Sequence, residues 1–266
     1  MQQQTVTVQW NRPCGEMYRR MGLKTGPAFT SAAPGQFVMV HLPGLGQPLL
    51  RRPFSIFRRL DATEEKGIEL LYRIVGPVTR AMSALGSGDA VDIVGPAGRG
   101  FAVDATHRRV SLVGGGIGIP PLFFLAAEAT RRGVWQPAAV QVFLGGRTRS
   151  DLLCVDDFCA LGVAVIQTTD DGSAGDQCLV THPVEMDISR ARPDAIYACG
   201  PMPMLACVAG IGERHGIATQ VSVETLMACG IGACLGCAVK ARNSANDYLH
   251  ACTHGPVFDA MDLAFD

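Results

Sequence analysis

The sequence predicts three units in series: an antiparallel β barrel, an α/β unit on a parallel sheet, and a small cysteine-rich segment. Three observations lead there. Short apolar or alternating runs recur through the first part of the chain, punctuated by Gly and Pro. Beyond residue 104 such runs alternate with helical stretches, the pattern of βαβ units. Four of the ten cysteines then cluster at positions 229, 234, 237 and 252.

In the first unit, residues 1–103, strand-like runs span 5–10, 36–42, 54–57, 67–75 and 90–94. Turn signals stand at Pro34-Gly35, Pro43-Gly44 and Gly95-Pro96, and Thr79 is placed to cap a short helix over 80–85. In the second unit, residues 104–223, strands are expected over 110–113, 139–144, 164–168, 195–199 and 220–223. Helices are expected over 120–132 and 202–215. Residues 110–127 carry no charge and are long enough to suggest a membrane span. The glycines and prolines in their middle predict a strand, a glycine turn and a helix instead. The third unit, residues 224–266, is rich in Cys and Gly with little periodicity, so something other than a hydrophobic core is expected to hold it.

Of the 266 residues, 48% are hydrophobic and 18% charged, an ordinary globular balance. The net charge of −1 gives no reason to expect a nucleic acid or an anionic membrane as partner. The opening Met1-Gln2-Gln3-Gln4-Thr5-Val6 has neither the basic nor the apolar region of a secretory signal, so a cytoplasmic protein without membrane insertion is expected. In a reducing compartment ten cysteines are thiols or metal ligands, not disulfides.

Cys229, Cys234, Cys237 and Cys252 are separated by four, two and fourteen residues. The first three have the plant-type [2Fe–2S] spacing, with a distant fourth cysteine to close the set. Gly230, Gly232, Ala233 and Gly236 between them are small, so the backbone can approach the sulfides and offer N–H donors. The competing reading is a zinc site, which favours paired CxxC units or Cys/His sets. Only one CxxC is present, and His250 and His254 flank a four-cysteine set that is already complete.

Val113-Gly114-Gly115-Gly116-Ile117-Gly118-Ile119-Pro120 reads as a strand-to-helix glycine turn, where Gly114, Gly115, Gly116 and Gly118 can expose amides to a pyrophosphate. A turn that merely packs tightly has the same sequence. No acidic residue closes the next strand; Gly145-Gly146-Arg147 follows it, which leaves NAD against NADP open. Cys199, Gly200 and Pro201 end the last long strand, at the sheet edge where ligands bind, although a plain helix start reads alike.

Arg52-Pro53-Phe54-Ser55, Tyr72-Arg73-Ile74-Val75 and Gly95-Pro96-Ala97-Gly98-Arg99-Gly100-Phe101 precede these two turns. In that order the segments resemble the ferredoxin–NADP reductase superfamily. The stretch from Glu224 through Cys237, with Cys252-Thr253-His254-Gly255-Pro256-Val257-Phe258 and Thr169-Asp170-Asp171-Gly172-Ser173, resembles the electron-transfer subunits of class 1B dihydroorotate dehydrogenases. The likeness covers nearly the whole chain. It departs at His254, where the family usually has Asp, at Phe54, often Ile, and at Gly76-Pro77-Val78-Thr79, more often Gly-Lys/Glu-Gly-Thr.

The resemblance implies an oxidoreductase subunit with an antiparallel flavin-binding barrel, a parallel-sheet nucleotide-binding domain and a small C-terminal [2Fe–2S] domain. It implies FAD held by Arg52, Pro53, Phe54, Ser55, Leu71, Tyr72, Arg73, Val78 and Thr79. Arg52 would pair with the pyrophosphate, Ser55 would bond near the flavin N5 edge, and Thr79 would sit at a helix N-terminus beside the phosphates. NAD(H) would approach over Gly114–Gly118 and Cys199–Pro201, with no side chain needed as general acid or base. A hydride carries two electrons and a [2Fe–2S] cluster accepts one, so a flavin is needed between them. The implied direction runs from the FMN of a dihydroorotate-oxidising catalytic subunit through the cluster and FAD to NAD+, in pyrimidine biosynthesis and in a heterotetramer. Two alternatives stand beside it. A ferredoxin-dependent NADP or sulfide oxidoreductase subunit shares these parts, although such relatives tend to have Asp at the position of Cys229. A non-catalytic metal-binding module would lack flavin.

Overall fold

Six strands close into a barrel in the computed structural model, which describes residues 1–44, 49–61, 66–242 and 247–265. They are β1 (Gln2–Pro13), β2 (Tyr18–Lys24), β3 (Phe37–His41), β4 (Arg52–Leu60), β5 (Gly67–Arg73) and β6 (Ala90–Ala97). Helix α1 (Pro27–Thr30) lies between β2 and β3, and α2 (Pro77–Ala84) between β5 and β6. All pairings are antiparallel, in the order β1-β2-β5-β4-β3-β6. Val8, Met21, Leu23, Ile56, Ile68 and Leu70 fill the interior and are fully buried. Strand β2 was not expected, because Arg19 and Arg20 interrupt its apolar alternation. Arg20 turns to the fully buried Glu69 on β5, which also takes Arg58 from β4. Helix α2 starts two residues before Thr79: Gly76 is the cap and Pro77 opens the first turn, where its missing N–H costs nothing. Thr79 works from inside the helix, its hydroxyl accepting from the amides of Val75 (2.9 Å) and Gly76 (3.0 Å).

The second unit has β7 (Val110–Gly115), α3 (Ile119–Arg131), β8 (Val140–Gly146), α4 (Val155–Ala160), β9 (Ala164–Thr169), α5 (Thr181–Arg190), β10 (Ala195–Cys199), α6 (Met202–His215) and β11 (Ala218–Ser222). These strands run parallel, so the uncharged stretch 110–127 is a buried strand, turn and helix. Among the described residues no helix is long and apolar enough to cross a membrane. Spatially the order is β11-β10-β7-β8-β9, so the chain reverses direction across the sheet between β7 and β10. That reversal opens a crevice beyond the carboxyl ends of the two strands.

In the cysteine-rich segment β12 (Ala238–Lys240) pairs with β13 (Tyr248–His250), and β14 (Val257–Asp259) joins the parallel sheet as an antiparallel edge beside β11. The expectation that no core would hold this segment is corrected here. Met227, Ala251, Phe258, Ala260 and Leu263 are buried in one cluster with Phe37, Met39 and Val221. The apolar residues lack periodicity because their partners lie on the other two units. Phe57 of β4 stacks on Phe123 of α3 with centroids 5.0 Å apart, and Arg59 pairs with Glu128, so barrel and sheet also share an interface.

Candidate cofactor and nucleotide sites

The two turns singled out in the α/β unit meet at the crevice. Cys199 lies level with Gly114 in the β7–β10 register. A Cβ on Gly118 would stand 2.5 Å from the Cys199 carbonyl carbon, and one on Gly200 3.1 Å from the Gly115 amide nitrogen. Glycine is therefore required by contact between backbones. Gly116 adopts φ 53°, which turns the chain into the short helical turn ahead of α3. Burial drives the Cys199 thiol up to about 12, with a bond from Ser222 opposing it. This cysteine stays protonated at neutral pH and serves as a packed wall, not as a nucleophile.

On the barrel, Arg52–Ser55 at the start of β4 and Leu71, Tyr72 and Arg73 at the end of β5 come together on neighbouring antiparallel strands. The Phe54 and Tyr72 rings meet edge-on at 6.0 Å. Arg52 donates only to the carbonyls of Leu50 (2.8 Å) and Arg51 (3.2 Å), with no carboxylate partner among the described residues. Such a guanidinium keeps its capacity for an anion. The Arg73 guanidinium lies over the Tyr18 ring at 5.7 Å, and its buried Nε has no hydrogen-bond partner. Val78 and Thr79 open α2 beside them, with the Thr79 hydroxyl committed to the cap. An aromatic face, two guanidinium groups with no carboxylate partner among the described residues and a helix start suit a flavin and its diphosphate. Pro53 is half-buried within β4, opposite Met39 of β3.

The four cysteines fall into two pairs. Cys237 and Cys252 are buried with their Sγ atoms 3.2 Å apart. Cys229 and Cys234 lie nearer the surface, and the Cys229 Sγ accepts from the amides of Cys234 (3.4 Å) and Ile231 (3.5 Å). The Gly236 amide points to the Cys234 Sγ at 3.5 Å. These amides turn inward because Gly230, Gly232 and Leu235 adopt positive φ values of 70°, 81° and 57°. Burial opposes ionisation of Cys229, but its amide donors prevail and bring the thiol down to about 6. Burial, and the Cys237 thiol beside it, push Cys252 up to about 11. Two paired thiol sets under a canopy of amides are a donor set that would fit a binuclear iron–sulfur cluster. His254 accepts the His250 amide at Nδ1 (2.9 Å) and stands outside the cysteine set.

Sequence reasoning missed two contacts. Met39 is a barrel core residue in β3, and the cluster loop rests on it through Gly230. Tyr18 and Asp151 join barrel to sheet, the hydroxyl donating to the carboxylate at 2.9 Å. Neither has a local signal, since both act across units. The loop Thr169–Ser173 also proves structural: Asp171 donates its amide to the Arg147 carbonyl (3.2 Å), and Arg149 donates its amide to Ser173 Oγ (2.7 Å).

A closed six-stranded barrel, a nucleotide sheet with glycine turns at its crevice and a cysteine loop against both define an oxidoreductase of the ferredoxin–NADP reductase fold. A ferredoxin NADP+ reductase from Neisseria gonorrhoeae with bound FAD and NADP shares that fold, with a TM-score of 0.66 at 13% identity over 81% of this chain and 92% of that one. The structure of a NADH-dependent reduced ferredoxin-NADP oxidoreductase matches at a TM-score of 0.83 and 28% identity, over 98% of this chain and 90% of that one. Residues 112–210 match the oxidoreductase NAD-binding domain, and residues 224–264 the iron-sulfur cluster binding domain of dihydroorotate dehydrogenase B. Dihydroorotate dehydrogenase B (NAD(+)) electron transfer subunits are 38% identical in a Geobacillus species, over 99% of both chains, and 34% identical in Fusobacterium nucleatum, over the full length of both. The chain belongs to the family of dihydroorotate dehydrogenase B electron transfer subunits.

Proposed function

We propose that this protein is the electron-transfer subunit of an NAD-dependent dihydroorotate dehydrogenase, acting in the cytoplasm in pyrimidine biosynthesis. The observation that carries the reading is the seat of the cysteine loop. Two thiol pairs rest on β3 of the barrel through Gly230 and Met39, on a unit whose edge strand belongs to the nucleotide sheet. One protein thereby joins sites for a one-electron carrier, a flavin and a nicotinamide. Bound FAD supplies exchange of electrons in pairs with NAD(H) and singly with an iron–sulfur cluster.

The chain's own residues bind and orient. Arg52 and the start of α2 at Val78 and Thr79 take the flavin's diphosphate, Phe54 and Tyr72 offer aromatic surface, and Ser55 and Arg73 complete the cradle. Gly114–Gly118 and Cys199–Pro201 hold the nicotinamide end in the crevice, where alignment rather than acid–base chemistry governs hydride transfer. Cys229, Cys234, Cys237 and Cys252 hold the cluster. Functional boundaries at 103/104 and 223/224 divide these tasks. A catalytic partner carrying FMN oxidises dihydroorotate, and two copies of each subunit make the assembly.

A second reading, a ferredoxin-linked oxidoreductase subunit, is favoured by the 28%-identical solved structure. One experiment separates the two: anaerobic capture of the tagged protein from native cytosol, assayed for dihydroorotate-dependent reduction of NAD+. Co-purification of that activity with an FMN protein supports the first reading. A flavin- and iron-containing NAD(P)H oxidase without it moves the ferredoxin-linked reading to first place.

A further inference from the structure

A cleft of about 440 Å³ lies between the barrel and the carboxyl end of β8, lined by Glu16, Tyr18, Arg73, Arg147, Ser150 and Asp151 among others. Its floor is an interdomain bond. Asp151 is buried, with its side chain 9% exposed, and one carboxylate oxygen accepts the Tyr18 hydroxyl at 2.9 Å. The other accepts Nε of Arg147 at 3.1 Å. Arg147 is otherwise exposed, its side chain 66% accessible, and its carbonyl is tied to the Asp171 amide. Among the described residues Asp151 is bonded through Nε, which leaves the terminal nitrogens of the guanidinium with donors to offer a ligand. Arg73, with its unpartnered Nε, stands across the cleft over the Tyr18 ring, and the exposed Glu16 is the other acidic group on the lining.

The position in the sheet says what such a guanidinium meets. A dinucleotide whose nicotinamide lies between the ends of β7 and β10 must extend its other half along the carboxyl edge. On the β10 side that edge is covered: Val223, just past β11, donates to the Pro256 carbonyl of the cysteine-rich segment at 2.9 Å. On the β8 side it opens into the cleft.

We infer that Asp151, anchored to the barrel by Tyr18, is a positioning residue that holds Arg147 by Nε so that its terminal nitrogens take a phosphate on the adenosine half of NAD(H). This rests on the nucleotide reading above and names a residue pair which that reading leaves out. Arg147 is the binding group, and Asp151 acts only through it. An unanchored exposed arginine loses side-chain entropy on binding; one already held by a buried carboxylate loses less.

The test uses the purified, flavin-loaded protein with ADP and NAD+ as titrants, followed by calorimetry. Reduction of the bound flavin by reduced nicotinamide mononucleotide, which lacks the adenosine half, serves as control. Asp151→Asn keeps an acceptor for Tyr18 and removes the charge that holds Arg147. It is expected to weaken ADP and NAD+ about tenfold, as is Arg147→Ala. The double variant is expected to be no weaker than Arg147→Ala alone, because the two act as one unit. Reduction by the mononucleotide stays at the wild-type rate. Wild-type ADP binding in Asp151→Asn overturns the inference, as do additive losses in the double variant or an equal loss with the mononucleotide. A wild-type protein that binds neither ADP nor NAD+ overturns the nucleotide reading and the inference together; NAD+ binding that is indifferent to both substitutions overturns the inference alone.

Discussion

Gly230 of the cluster loop lies so close to Met39 of the barrel that a Cβ at position 230 would stand 2.4 Å from the methionine Cγ. The glycine also adopts φ 70°, a conformation that side chains disfavour. Contact and conformation demand the same residue, and together they seat the metal-binding loop on the flavin-type barrel.

Gly230→Ala is accordingly expected to destabilise the loop by about 1–3 kcal/mol. Met39 can retreat only into a packed interior, where it is fully buried. Iron content per chain and the chelator-induced rate of iron loss measure the effect. Met39→Ala in the same chain relieves the clash but not the backbone strain, so it restores part of the retention.

Cys237→Ser removes a ligand from the buried pair. Iron content should fall, and dihydroorotate-driven reduction of NAD+ in the complex with the catalytic subunit should be lost. Reduction of the bound flavin by NADH, followed by stopped-flow absorbance, should persist. Loss of that step with FAD retained would contradict the proposed order of carriers.

At the crevice, Gly118→Ala places a methyl group against backbone, 2.5 Å from the Cys199 carbonyl carbon and 2.6 Å from the Gly200 nitrogen. Neither neighbour can rotate away, so the two turns must part. A displacement near 1 Å of a positioning element costs about a hundredfold in rate. Titration with NAD+ and the rate of flavin reduction by NADH should both decline, while flavin content stays unchanged.

Glu69 is fully buried and bonded to both Arg20 and Arg58. Glu69→Ala leaves these charges without their shared partner, with an expected loss of about 3 kcal/mol from the urea-unfolding free energy. The cost falls at the low end for broken buried pairs because Arg58 reaches solvent and Arg20 keeps Asp157.

Stability should also depend on alkaline pH. Burial raises Tyr18 and Tyr197 from 10.0 to about 12, and the Asp151 carboxylate adds to the shift at Tyr18. A pKa raised on folding means that the protonated form is favoured in the native state. Its stabilisation is complete below pH 10 and is lost as pH rises toward about 12. Urea midpoints should fall through that window, and less steeply in Tyr18→Phe. At the acid end Asp151 acts oppositely. Burial alone would raise its pKa, but Tyr18 and Arg147 hold it low, so its stabilisation disappears as the pH falls through the carboxylate range.

Local pattern carried much of this protein. Strand β10 and helix α6 occupy the stretches that apolar runs and turn residues mark out, 195–199 and 202–215. Cysteine spacing singled out four thiols, because a cluster loop writes its geometry into consecutive residues. The glycine turn and the Cys199–Pro201 turn were each ambiguous alone. Their contact through Gly118 and Cys199 is decided by strand order, which no local window contains. Strand β2 escaped because its arginines serve Glu69 on a neighbouring strand, and β14 because three residues pair only with a sheet already built. The sequence by itself determined the chemistry available: thiols that can ligate iron, arginines that can pair with phosphate, glycines where backbones must touch. Tertiary structure alone decided which of these groups meet, as Gly230 meets Met39 and Tyr18 meets Asp151. The physical reason is that burial, charge pairing and backbone contact depend on distance in space, and a closed barrel and a crossed-over sheet bring together residues far apart in the chain.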